Sequence, residues 1–222
     1  MKKIILNLYF VGYNSIFNKI LNVKNYKDFI IENSILGIKS ILSKNMINLG
    51  KDNFNFGLFL FSNFLQNQMF KNSIKDFYKN SAEFFDPMTF TSNIQNYLTN
   101  KICEGLSIRG YSNSYICVDF LTSLLEFKNS NCEYGIFINI SKKVITNIEI
   151  IIFSKKEFTF LIKHCIMDSE QIFENITKKY SIRNNAFNFF KIYNQNVHSE
   201  KKNILKFDDI IFELEHKVME RA

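Results

Sequence analysis

The chain has 222 residues, of which 46% are hydrophobic and 16% aromatic, with 25 phenylalanines and no tryptophan. That apolar supply suits one α/β domain with a sizeable core and excludes intrinsic disorder, and no apolar run approaches the roughly 18–20 residues of a membrane helix. The net charge of +7 is carried almost wholly by lysine, with arginine only at Arg109, Arg183 and Arg221, so the planar donors that favour specific nucleic-acid contacts are scarce.

In chain order, Met1-Lys2-Lys3 precedes an apolar stretch, Ile4–Val11, that Asn7 interrupts and no small-residue cleavage site follows. It reads as a first strand bounded by Gly12, not as a secretory leader. A polar stretch runs from Asn14 to Asp28. Ile31, Ile35, Ile38, Leu42 and Ile47 then recur near helical spacing, predicting a helix over Ile30–Leu49 that ends at Gly50. Asn55–Ser62 is apolar almost throughout, as expected of a strand covered on both faces. A helix is expected over 68–85, broken at Asp86-Pro87, the only proline.

Ile94, Leu98 and Ile102 share one face of a predicted helix over Thr89–Ile102, with Gly105 marking its end. Ser112–Val118 reads as a third strand and Asp119–Phe127 as a helix. Tyr134–Ser141 and Thr146–Phe153 read as a hairpin joined through Lys142-Lys143-Val144-Ile145. Alternating strands and helices imply a mainly parallel sheet covered on both sides, with the hairpin at its end. Residues 157–196 are expected to hold polar helical segments and Phe207–Arg221 an amphipathic charged helix. The expected division is therefore an α/β domain over 1–156 and a helical C-terminal extension over 157–222.

Cys103, Cys117, Cys132 and Cys165 show no metal-ligand spacing, and free thiols in a reducing, cytoplasmic setting are expected. With seven glycines there is no phosphate-cradling loop, and no Ser-His-Asp order or paired-carboxylate motif is visible. Neither a cofactor nor a metal is expected.

The stretch Phe54–Ser154 resembles the N-terminal half of the β-ketoacyl synthases, which adopt the thiolase fold. Phe54-Asn-Phe-Gly-Leu-Phe-Leu-Phe-Ser62 stands at the family's strand before its variable helical segment. Phe90-Thr-Ser-Asn-Ile-Gln-Asn96 is similar to the family's F…PN helix start, with Asn96 at its Asn and Gln95 replacing its Pro. Leu106-Ser-Ile-Arg-Gly110 is similar to the family's turn, Ser114 fits the following Ser/Thr, and Tyr134–Ile140 stands where the next strand would be. The resemblance implies a thiolase-like half: a mixed, mainly parallel sheet flanked by helices.

It also implies where a nucleophile belongs. Counted from Gly110, the family's cysteine falls on Asp119, and a carboxylate cannot carry an acyl chain as a thiolate does. Asp119 suits a helix N-cap instead. Cys117, two residues earlier, is either a relocated nucleophile or an inert packing residue. His164, His198 and His216 stand in no context similar to the family's histidine motifs, so no catalytic residue is assigned.

The function these features imply is that of a non-catalytic partner subunit, similar to the chain-length factors of type II fatty acid, polyketide or aryl-polyene synthases. Its expected partners are an active ketosynthase subunit and an acidic acyl carrier protein; a homodimer is an alternative assembly. Degenerate acyl transfer through Cys117, and a basic module for acyl carrier protein or nucleic acid, are the alternative functions. In the resembling family the strand before the nucleophile meets its counterpart across the dimer axis, which here designates Ser112–Val118.

Overall fold

The computed structural model describes residues 2–4, 8–18, 26–62, 78, 96–115, 120–142, 146–156, 160–167, 187–188, 190–191, 203–207 and 210–216. In chain order these form β1 (Lys2–Ile4), β2 (Leu8–Asn18), α1 (Tyr26–Lys44), β3 (Phe56–Ser62), α2 (Asn96–Gly105), β4 (Ser112–Tyr115), α3 (Phe120–Asn129), β5 (Tyr134–Lys142), β6 (Thr146–Ser154), β7 (Phe160–Met167), β8 (Asn203–Phe207) and β9 (Ile210–His216). The nine strands make one sheet in the order β4-β3-β5-β6-β2-β7-β9-β8, with β1 beside β7.

The sheet is mixed. β3 runs parallel to β4 and to β5, with Leu60 opposite Ser114 and Ile138. Every other pairing is antiparallel, including the β5–β6 hairpin, in register from Tyr134↔Ser154 to Lys142↔Thr146. The expectation of a mainly parallel sheet is thus corrected: the parallel part is β4-β3-β5. The hairpin sits inside the sheet, because β2 lies against the free side of β6.

Alternation along the strands sorts side chains into two cores. One face carries Leu58, Leu60, Ile136, Ile138, Ile148, Ile150 and Ile152, packed with Ile30, Ile38 and Ile41 of α1 and Leu98 and Ile102 of α2. The other is aromatic. Phe59 and Phe137 stack at 4.7 Å, Phe153 meets Phe137 edge-on at 5.5 Å, and Phe120 and Phe127 of α3 close over them. Phe187 and Phe190, in helical backbone, extend this layer against Phe120 and Phe10. The abundance of phenylalanine is therefore a packing feature, with ring pairs contributing beyond their buried area.

Glycines have roles that composition did not reveal. Gly12 does not end the first strand: it lies at a register shift in β2, where an added Cβ would come within 2.7 Å of Ile41 on α1. β2 runs on to Asn18, through residues read as the start of a polar stretch, because Tyr13, Ser15 and Phe17 continue one face while Ile16 packs on the α1 side. Helix α2 ends at Gly105, as expected, but the left-handed residue is Ser107 (φ 53°). Ile108 N–H donates to the Cys103 carbonyl at 2.8 Å and Ser107 N–H to that of Glu104 at 3.1 Å, a Schellman closure.

The helical C-terminal extension is corrected in part. Phe187 and Phe190 are helical, but residues 160–167 form β7, and of the charged helix expected over Phe207–Arg221 the described residues are strand: Phe207 ends β8 and Ile210–His216 form β9. Ile210-Ile-Phe-Glu-Leu-Glu-His216 alternates with period 2 from Phe212 onward, and Phe212 and Leu214 register with Cys165 and Ile162 of β7. Only Tyr78 of the helix expected over 68–85 is described, and it is helical. The Asp86-Pro87 break, the start of the helix predicted from Thr89 and the hairpin tip at 143–145 lie outside the described residues.

Phe137 is fully buried and meets the rings of Phe59, Phe120, Phe127 and Phe153 in the aromatic layer. Phe137→Ala is expected to lower unfolding free energy by about 3–5 kcal/mol, read from urea midpoints. A loss below about 1 kcal/mol would show that the layer closes around the gap and is not a tightly packed core.

Candidate functional site

The turn that leads into β4 is built around Gly110. A Cβ there would lie 2.2 Å from the Phe56 carbonyl oxygen and 2.8 Å from Cys132 Sγ, so only glycine lets the chain pass. Tyr111 N–H donates to Cys132 Sγ at 3.3 Å, and Leu58 N–H donates to the Tyr111 carbonyl at 2.9 Å. β4 then runs along β3 as the outermost of the described strands on that side of the sheet. Since Tyr111 turns its carbonyl toward β3, alternation turns the N–H and C=O groups of Ser112 and Ser114 toward the open side. The Ser114 N–H is taken by Asn113 Oδ1 at 2.9 Å, while the exposed Ser112 carries no such cover among the described bonds.

The two faces of β4 are fixed separately. On one, the buried Ser114 hydroxyl bonds Thr99 of α2. On the other, the Tyr111 and Tyr115 hydroxyls both donate to Glu126 Oε2 of α3, Tyr111 at 3.0 Å, and Asn113 Nδ2 reaches the Tyr111 hydroxyl at 3.4 Å. The edge strand is thereby held between α2 and α3, and no other described strand pairs with its outer side.

Tyr115 also begins a row that crosses five strands: Tyr115, Phe61, Asn139, Glu149 and Ser15 are successive register partners. This row lies toward the carboxyl ends of β3, β4 and β5, the end at which open α/β sheets place their sites. Glu149 is buried in β6 and accepts from Asn139 Nδ2 at 2.9 Å and from the Tyr13 hydroxyl at 3.1 Å. Burial first, then the Glu149 charge, raises the Tyr13 pKa. The amide oxygens of Asn139 and of Asn147, two residues from Glu149 on the same face, have no partner. Each such buried, unpaired carbonyl costs about 1–3 kcal/mol. Sequence reading did not single out this row. Its signals were Glu149 inside Ile148–Phe153 and Asn139 inside Ile136–Ile140, polar residues at inward positions of otherwise apolar strands.

The residues weighed as nucleophile positions, Cys117 and Asp119, both lie outside the described residues, between the end of β4 and the start of α3. Cys103 and Cys132 are free and buried, and burial pushes the Cys103 thiol up to about 11, so it carries little thiolate at neutral pH. His164 and His216 occupy different rows of the β7–β9 pairing, and His198 lies outside the described residues. Among the described residues no group of three or more His, Cys, Asp or Glu side chains converges as a metal site. No described helix is long and apolar enough to cross a membrane.

Burial, followed by the hydrogen bond to Glu126, raises the Tyr115 pKa above its ordinary 10.0. The folded state then holds this proton more tightly than the unfolded state, so its stabilisation is complete below pH 10 and is lost as pH rises beyond that. Unfolding free energy is expected to fall steadily above about pH 10, and less steeply in Tyr115→Phe. Equal slopes for the two proteins would remove Tyr115 from the alkaline transition.

No protein-family model matches the sequence, and no curated protein matches it. The fold does match a solved structure, a chain of the ketosynthase ApeO in complex with its chain length factor ApeC from Xenorhabdus doucetiae. That match has TM-score 0.54 and 8% identity, covering 95% of this chain and 100% of that one. The two chains are thus alike in extent as well as in topology. The likeness is one of fold: the chain shares its mixed α/β arrangement with a chain of that complex, as the resemblance led one to expect.

Proposed function

We propose that the chain is a non-catalytic, chain-length-factor-like subunit that docks through the open edge of β4 onto an active ketosynthase in acyl-chain biosynthesis. The observation that supports this reading most is the edge itself. A short strand is braced from both faces, by Thr99–Ser114 on one side and Glu126 with Tyr111 and Tyr115 on the other, and among the described residues no strand pairs with its outer side, where the exposed Ser112 turns its backbone groups. Exposed edges recruit other strands unless something covers them. The neighbouring structure is itself a ketosynthase bound to its chain length factor.

The replacement of the family's cysteine by Asp119, by count from Gly110, supports a partner role over an acyl-transfer role. The net charge of +7 suits encounter with an acidic acyl carrier protein by electrostatic steering, which weakens as salt is added. The pathway, whether fatty acid, polyketide or aryl-polyene, is the finer part of the proposal.

Affinity purification of the tagged chain from its own cells is expected to recover an intact ketosynthase in about equal amount. Ser112→Pro removes an outward-facing N–H without touching the β3 ladder, so it is expected to abolish that recovery while leaving the unfolding midpoint nearly unchanged. Reproducible absence of a ketosynthase, or full recovery with the Ser112→Pro variant, would contradict docking through this edge. Acylation of Cys117 by an acyl thioester in the native chain would instead establish the acyl-transfer alternative.

A further inference from the structure

Asparagine is depleted in strands, where β-branched and aromatic residues pack better, yet Asn113 stands inside the four residues of β4. Both ends of its amide are in use. Oδ1 accepts the Ser114 N–H at 2.9 Å, and Nδ2 donates to the Tyr111 hydroxyl at 3.4 Å, which itself donates to Glu126 Oε2 at 3.0 Å. The Nδ2 bond fixes which way round the amide sits, so its oxygen is the atom held against the Ser114 N–H.

That N–H belongs to the outer side of the edge. Leu58 stands opposite Ser112 and bonds the Tyr111 carbonyl, which turns one N–H and one C=O of each of Ser112 and Ser114 away from β3. A strand arriving antiparallel would meet two donors and two acceptors, enough for four hydrogen bonds, and Asn113 has taken one donor. The count is worse when the arriving strand is β4 of a second copy. With Ser112 of each copy opposite Ser114 of the other about a two-fold axis, both copies lack that donor, and two of the four bonds are lost.

We infer that Asn113 sets the partner specificity of the β4 edge: by occupying the Ser114 N–H it disfavours pairing between two copies of this chain relative to pairing with a different strand. This role rests on the reading of β4 as the docking edge, and it favours a foreign subunit over a homodimer there. Weakening the wrong pairing needs no new contact with the right partner, and guarded edges are a common defence against self-pairing.

Sedimentation equilibrium of the full chain alone, with Asn113→Ala beside the unchanged protein, tests this without any partner. Tyr111 and Tyr115 keep their bonds to Glu126 in the variant, so the strand stays braced. The Ser114 N–H becomes available in both copies, and self-association is expected to be at least about ten-fold tighter, the worth of two modest hydrogen bonds. Adding Ser112→Pro, which removes the other outward N–H, is expected to abolish that gain. At dilution, where the chain is monomeric, the Ser114 amide is expected to exchange with deuterium about ten-fold faster in Asn113→Ala than in the unchanged chain. Unchanged Ser114 exchange would overturn the role by removing its contact, and unchanged self-association despite faster exchange would overturn it directly. Tighter self-association that persists with Ser112→Pro would overturn it too, since the pairing would then run through another surface. None of these results depends on recovering a ketosynthase, so failure here is separate from failure of the docking reading.

Discussion

Strand β5 is the join on which the rest of the molecule depends. It pairs parallel to β3 on one side, from Tyr134 to Ile140, and antiparallel to β6 on the other, from Tyr134 to Lys142. Its inward positions alternate between Ile136, Ile138 and Ile140 toward α1 and α2, and Phe137 and Asn139 toward α3. Because side chains alternate with period 2, a slip of one residue here would exchange the two faces and put Asn139 among the isoleucines. The depth of both cores makes that slip costly, which fixes the positions of β4 at one edge and of the polar row near its end.

How much of this was legible depended on whether local pattern and tertiary context agreed. Phe56–Ser62 and the β5–β6 hairpin were readable because long apolar runs between turn residues have few alternatives. The second half of β2 was not, since Asn14, Ser15 and Asn18 look like a linker until Glu149 supplies a buried partner for Tyr13, which also bonds Ser15. The strand β9 was lost for a related reason. Two glutamates and a histidine suggested a charged helix, and only pairing with β7 reveals the two-residue period of Phe212 and Leu214. Gly12 illustrates the limit of punctuation rules: close approach of α1, not a turn, requires a small residue there.

The functional part of the sequence was legible through absence and position more than through motif. Gly110 marked the turn correctly, and the structure explains it by contact with the Phe56 carbonyl and Cys132. The edge character of β4 could not be read, because it depends on which strand is last in the sheet, a non-local property. The same holds for Glu126: nothing in Phe120–Asn129 indicates that one carboxylate there anchors two tyrosines of the edge strand. These residues give β4 the rigidity that an edge needs if it is to present a fixed backbone pattern to a partner.

The central claim is that the outer backbone of β4 becomes paired when the chain meets its ketosynthase. Amide hydrogen exchange at Ser112 and Tyr111, with and without the co-purified ketosynthase, tests it most directly. Covering of the edge predicts that the Ser112 amide exchanges quickly in the free chain and slows at least about ten-fold in the complex, while Tyr111, whose amide already donates to Cys132, changes little. An equally fast Ser112 amide in a complex that has demonstrably formed would contradict docking through this edge.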